Sequence, residues 1–490
     1  MNPSQLRLAA SQFEILAHPN AESDSRTHAK ATYVAGSLKT TVMLLDDDGV
    51  QVCLVTTHFG WTTPINVCEL FRSAIATELQ LPKSNVLICS SHNHCCAAFA
   101  SNAVQAYAAY NQDVPLAELL PIGREFLATL VEHVRRLPRL LQPVTVWWAE
   151  GREGRFTYNR KGRFPDGSSY FIREQDRRQL GPDYQGDIDT QAPIVTFRDM
   201  QEQTVAALTQ FTGHPVTAYH PEKPIIFGEW PQVACDSVAD RLDSKSSIPV
   251  GFLQGCAGDV NSKEMLFGDV ARSTEFGMML GQSYIEAIAK LQPSQRPGMR
   301  FQVAEVQVPL APLPTAELLA DELAEMDDFI VRASSGDENT RSCVGQNFPK
   351  ELSPNFRADL VKILRRWNVW ALELHREGRA DSVARFISME ISALRLGDVG
   401  IVGLPCEPFQ GIGRQIRRDS RLPLNIPCGY TNVSHGYITD SENTGDQEYM
   451  SAHYRYTRFR PPLMKPAGDV LAQKAVELLN QFEMETRHRT

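Results

Sequence analysis

Short, continuous apolar runs that stop abruptly at a polar, chemically active residue recur along this chain, and they constrain its fold more than any other feature. Asn85-Val-Leu-Ile-Cys-Ser90 runs into His92, and Val205-Ala-Ala-Leu-Thr-Gln-Phe211 into His214. Ile248 to Leu253 leads to Gly255-Cys-Ala-Gly-Asp259, and the Ile391 to Leu404 segment delivers Pro405-Cys-Glu407. Runs of this length without polar alternation read as strands buried on both faces, which requires helices or further sheets on either side. Thr41 to Leu45 and Val50 to Thr56, joined through Asp46-Asp-Asp-Gly49, form a predicted hairpin. Ile122, Phe126, Leu130 and Val134 recur every four positions and mark one stripe of a helix that Pro138 closes. Thr315 to Ala333 and Pro354 to Gly378 read as two long helices with a turn-rich segment between them. The expected fold class is α/β: mixed, layered β-sheets flanked by helices, with polar residues gathered at strand ends. One domain is expected over 1–490, with a lobe boundary near 293–297 and a helical insertion at about 315–380. No internal repeat stands out.

Of the 490 residues, 42% are apolar and 22% charged, enough to build a large core. The net charge of -9 and the interspersed signs leave no basic stripe to follow phosphates, which argues against nucleic acid as a partner. No segment is apolar for long enough to span a membrane, and Met1 to Arg7 carry no basic head or apolar run. The ten cysteines include no Cys-x-x-Cys pair, and several flank the chemically active segments. Reduced thiols and a cytoplasmic location are the expectation. A small-molecule substrate is expected, and homo-oligomerisation stays open.

In α/β proteins ligands collect at the carboxyl ends of strands, where loops converge over a rigid frame. Here such ends present His92 and His94, His214, Asp259, Glu407 and the aromatic-polar run Gly429 to Thr439. Two histidines and a carboxylate with one position open form a zinc set suited to hydrolysis, because the vacancy holds a water that ionises near neutral pH. In extended chain, His-x-His would point both rings to one face, although that spacing alone is unspecific.

Six segments then occur in a meaningful order: Ser90-Ser-His-Asn-His94, Tyr158-Asn-Arg160, Phe211-Thr-Gly-His-Pro215, Gly258-Asp-Val-Asn261, Gly403-Leu-Pro-Cys-Glu407, and Tyr430-Thr-Asn432 with Gly436-Tyr-Ile-Thr439. Together they resemble the catalytic domain of the neutral (alkaline, non-lysosomal) ceramidase family, from near residue 5 to near 485. The resemblance implies one Zn2+ ion held by His92, His214, Glu407 and Tyr437, with Tyr430 the competing tyrosine. It implies His94 beside the metal as proton acceptor, Asp259 close by as the alternative, and Arg160 facing the substrate carbonyl. Tyr430, His435 and Cys95 are the expected substrate contacts.

Two departures narrow that reading. Asn261 stands where the family carries a functionally implicated serine, and Cys95-Cys-Ala-Ala replaces the glycine-rich continuation of the His-x-His motif. The expected activity is therefore zinc-dependent cleavage of an amide, either N-acyl or lactam, in a small molecule other than long-chain ceramide. The same zinc would serve an ester or lactone hydrolase, or a lyase or isomerase acidifying a proton beside a carbonyl. A binding module derived from such an enzyme is the remaining alternative.

Overall fold

The computed structural model describes residues 6–24, 29–60, 65–100, 118–243 and 248–487; the amino-terminal Met1 to Gln5 lie outside them. Three sheets organise the chain. The first is built from β1 (Arg7–Ile15), β2 (Leu38–Asp47), β3 (Val50–Thr57) and β4 (Val86–Ser90). The second uses β5 (Thr145–Arg152), β6 (Gln191–Arg198), β7 (Thr204–Phe211) and β8 (Val250–Gln254). The third uses β9 (Met299–Pro309), β10 (Phe386–Leu396), β11 (Val399–Gly403) and β12 (Leu424–Cys428).

These sheets share one connectivity. In each, three consecutive strands pair antiparallel, a helix crosses over, and the fourth strand joins the third in parallel. The crossover helices are α1 (Ile65–Leu79), α3 (Glu229–Leu242) and α7 (Gln410–Asp419). A second helix follows each fourth strand: α2 (Pro121–Arg136), α4 (Val270–Ile288) and α8 (Asp469–Arg487). After α2 and after α4 the chain returns as a two-residue strand on the edge of a sheet, Gln142–Pro143 against β1 and Gln292–Pro293 against β5. The tripeptide Leu-Gln-Pro at 141–143 and 291–293 is the one sequence trace of this recurrence. The repeat lies in the topology, while the sequence shows none over the length of a unit.

Strand periodicity sends alternate side chains to opposite faces. On β3, Val52 and Leu54 join Leu87 of β4, Leu208 of β7, and Val399 and Ile401 of β11 in a core where all three sheets meet. Cys53 and Val55 point the other way, into the layer under α1 and α2. The second sheet is covered outside by Trp230 of α3 and Leu280 of α4, the third by Ile412 of α7 and Leu479 of α8. Every sheet is thus apolar on both faces, which is why its strands read as unbroken apolar runs. Between β9 and β10 the chain inserts α5 (Ala316–Ser334) and α6 (Pro354–Arg376), two helices packed on each other, with the buried Trp367 indole donating to the Arg460 carbonyl at 2.9 Å. None of the ten cysteines forms a disulfide and all are buried; burial pushes the Cys89 thiol up to about 12.

Phe126 of α2 is fully buried, with ring centroids 5.4 Å from Phe59, 5.2 Å from Phe71 and 4.5 Å from Phe99. Replacing Phe126 with Ala leaves a void among rings that cannot collapse, and equilibrium urea unfolding should register a loss of about 3 to 5 kcal/mol.

Candidate metal centre

The shared connectivity places the polar residues after third and fourth strands around one point. His92 and His94 follow β4, His214 follows β7, Asp259 follows β8, Glu407 follows β11, and Tyr430 and Tyr437 follow β12. The segments are then fastened to each other by main chain. Ser90 N donates to the Tyr430 carbonyl at 3.1 Å and His214 N to the Val260 carbonyl at 2.9 Å. A short strand Glu407–Pro408 pairs in parallel with Tyr437–Ile438, setting Glu407 opposite Tyr437. Gly258 permits the close approach, since a β-carbon there would lie 2.7 Å from the Glu407 carbonyl oxygen.

Among the described residues, His92, His94 and His214 form a group whose ligand nitrogens all lie within 4.8 Å of one another. His92 Nε2 is 3.1 Å from His94 Nε2, and Glu407 Oε2 is 3.2 Å from both His92 Nε2 and His214 Nε2. The Tyr437 hydroxyl is 3.2 Å from His214 Nε2. Ligands about 2.0 Å from a tetrahedral zinc stand about 3.3 Å apart, close to the 3.2 Å that separates Glu407 Oε2 from His92 Nε2 and from His214 Nε2, and the Tyr437 hydroxyl from His214 Nε2. The donor set of imidazole, carboxylate and phenol oxygen also suits zinc.

Protonation states agree with that use. Desolvation and the neighbouring His92 hold the His94 ring well below its ordinary range, and desolvation with Arg160 pushes His214 down to about 3, so both are neutral at pH 7. His214 Nδ1 lies 2.8 Å from the Ala257 carbonyl, a contact that assigns its proton to Nδ1 and leaves the Nε2 lone pair facing the centre. Burial by itself would raise the Glu407 carboxyl, but the His92 and His214 rings outweigh it and hold the group well below the usual carboxylate range. Burial keeps the Tyr437 phenol protonated; its oxygen accepts from Arg160 Nη2 at 2.7 Å. Arg160 is itself buried and also donates to the Gly258 carbonyl at 2.7 Å.

The residues expected from sequence fall into two sets. Around the centre stand His92, His94, His214, Glu407, Tyr437, Arg160 and Tyr430, whose ring is 4.4 Å from that of His92. The others make different contacts. Asp259 Oδ1 accepts from Gln410 N at 2.8 Å, capping the start of α7, while its Oδ2 accepts from Asn159 Nδ2 at 3.0 Å. Asn261 pairs with Tyr158 across two short strands and directs Nδ2 to Met265 Sδ at 3.5 Å. The Cys95 thiol lies 3.8 Å from the Glu229 carboxylate, and His435 lies beside Arg458 and Arg460. The pairing of the two histidines is a correction in cause: β4 ends at Ser90, and His92 has φ +59°, so no strand periodicity aligns the rings. Sequence reasoning did not single out Tyr219, whose ring stands 5.0 Å from that of His94; its place five residues after His214 is the one available signal. An open cavity of about 820 Å³ bounded by Tyr170, Arg173, Gln346 and Gln447 includes none of these groups.

No protein-family profile matches the sequence, and no curated protein matches it. The fold does match solved structures. A neutral ceramidase from Pseudomonas aeruginosa superposes with a TM-score of 0.65 at 16% identity, covering 98% of this chain and 75% of that one. A ceramidase complexed with C2 gives 0.64 at 15% identity, with 98% and 76% covered. The chain therefore has a ceramidase-like α/β fold along nearly its whole length. Among the described residues no helix is long and apolar enough to cross a membrane.

Burial pushes the Asp259 carboxyl from 3.8 up to about 6. Because the folded value lies above the unfolded one, the protonated form stabilises the fold, fully below about pH 3.8, and that contribution is lost as pH rises through about 6. Relative to D259N, wild-type stability should fall between about pH 4 and 7, by at most about 3 kcal/mol. Urea unfolding at a series of pH values measures the difference.

Proposed function

We propose that this protein is a zinc-dependent hydrolase that cleaves an amide bond, N-acyl or lactam, in a small molecule. The observation that carries the reading is the convergence of three imidazole nitrogens and the Glu407 carboxylate at separations of 3.1 and 3.2 Å. His92, His214 and Glu407 would hold one zinc ion, with Tyr437 as the fourth contact. Bound there, zinc supplies Lewis-acid polarisation of a carbonyl and makes water acidic enough to react near neutral pH. The neutral, partly exposed His94 takes up the proton released by the attacking water, since it is the one histidine of the three with solvent access. Arg160 donates to the Tyr437 oxygen and so leaves the phenol O–H to be given to the oxygen of the scissile carbonyl as charge grows there. Tyr430, with its buried hydroxyl close to Glu407, Tyr437 and Arg160, would serve as a second donor. Likeness in fold to ceramidases supports amide chemistry on this scaffold, and the ten buried thiols suit a reducing, cytoplasmic setting.

Chelation should abolish hydrolysis of a panel of N-acyl substrates, and stoichiometric zinc should restore it. His92→Ala should lose both bound zinc and turnover. His94→Ala should keep zinc near one per chain while turnover falls about 100-fold or more. Metal analysis with product mass spectrometry reads these outcomes; a His92→Ala protein retaining full zinc would overturn the assignment.

A further inference from the structure

We infer that Asn93, between the two histidines, is the positioning residue that sets His92 as a ligand of the metal centre and His94 as the proton acceptor beside it. The inference rests on the metal centre proposed above. Asn93 is 2% exposed and its amide is spent entirely on main chain. Its Nδ2 donates to the His58 carbonyl at 2.9 Å and the Phe227 carbonyl at 2.8 Å, and its Oδ1 accepts from Cys95 N at 2.7 Å. His58 directly follows the β3 strand and Phe227 precedes α3, so one side chain joins the end of the first sheet, the histidine loop and the approach to a helix of the second sheet. Phe227 N returns a bond to the Cys95 carbonyl at 2.8 Å, closing the arrangement.

Two observations show why the ligands depend on it. His92 occupies the left-handed region at φ +59°, a conformation that is unfavourable for an ordinary residue and persists only when its surroundings impose it. His92 Nδ1 is buried and has no hydrogen-bond partner among the described residues, whereas His214 Nδ1 is held by the Ala257 carbonyl. Metal-binding histidines are commonly aimed by a hydrogen bond at the second nitrogen. For His92 that device is missing, and its ring direction follows from the backbone that Asn93 locks. The turn that Asn93 Oδ1 closes on Cys95 N carries His94 Nε2 to 3.1 Å from His92 Nε2.

The test uses purified full-length protein and four forms: wild type, N93A, N93D and N347A. Asp at 93 keeps the acceptor of the turn but offers no donor to the two carbonyls. Asn347 is a control for losing a bridging amide, since it bonds both the N–H and the carbonyl of Phe171 and its amide bonds nothing in the histidine loop. Zinc affinity is measured by competition with a chromophoric chelator, ligand geometry by the visible spectrum of the Co2+-loaded forms, and folding by thermal unfolding. N93A and N93D should bind zinc about 10- to 100-fold more weakly, with altered cobalt bands, while N347A binds as wild type does. Should N93A fail to fold, N93D carries the comparison. Equal affinity in wild type and both Asn93 variants, or an equal loss in N347A, overturns the inference and leaves the metal centre standing. A wild type that binds no zinc overturns both.

Discussion

An ionised carboxylate placed among protein atoms is costly unless charges or hydrogen bonds replace the water it gives up. Glu407, 7% exposed, has the rings of His92 and His214 at 3.2 Å on either side. Those two residues come from different sheets, and Glu407 comes from the third. The contact therefore demands that all three sheets be assembled correctly before it can form. Arg160 and Tyr437 extend it, the guanidinium bonding the phenol and the phenol standing at 3.2 Å from His214, so that the buried charges form one connected network.

The recurring connectivity accounts for how such a network arises. Three antiparallel strands, a crossover helix and a parallel fourth strand produce two adjacent strands pointing the same way, with both carboxyl ends on one side of the sheet. Three such pairs, packed through a common apolar core, bring their end loops together. Loops in that position are held at their roots by strands and are free to carry chemistry at their tips. Asp259 lies in one of these loops but faces the start of α7, where the helix N-terminus and Asn159 use its carboxylate. Sharing a loop address with the clustered histidines is thus not enough to bring a residue into contact with them.

The relation to ceramidases is of the same kind. Likeness extends along 98% of the chain in fold, at 16% identity in sequence. In this chain the Cys95 thiol meets Glu229 and the Asn261 amide meets Met265, so both side chains are engaged with protein atoms.

Much of the frame was legible in the amino-acid sequence. Unbroken apolar runs marked the strands because both faces of each sheet are covered, and four-residue periodicity marked α2 because only one of its faces is. His92, His214 and Glu407 stood out because each follows such a run. The sequence by itself determined the fold class, the helical pair between β9 and β10, and the set of residues able to carry chemistry. The tertiary structure alone decided which of them meet. Distances between loops of three sheets depend on helix and sheet packing, which no local pattern encodes. The direction of a side chain in an irregular loop depends on hydrogen bonds to distant main chain, as Asn93 shows with His58 and Phe227.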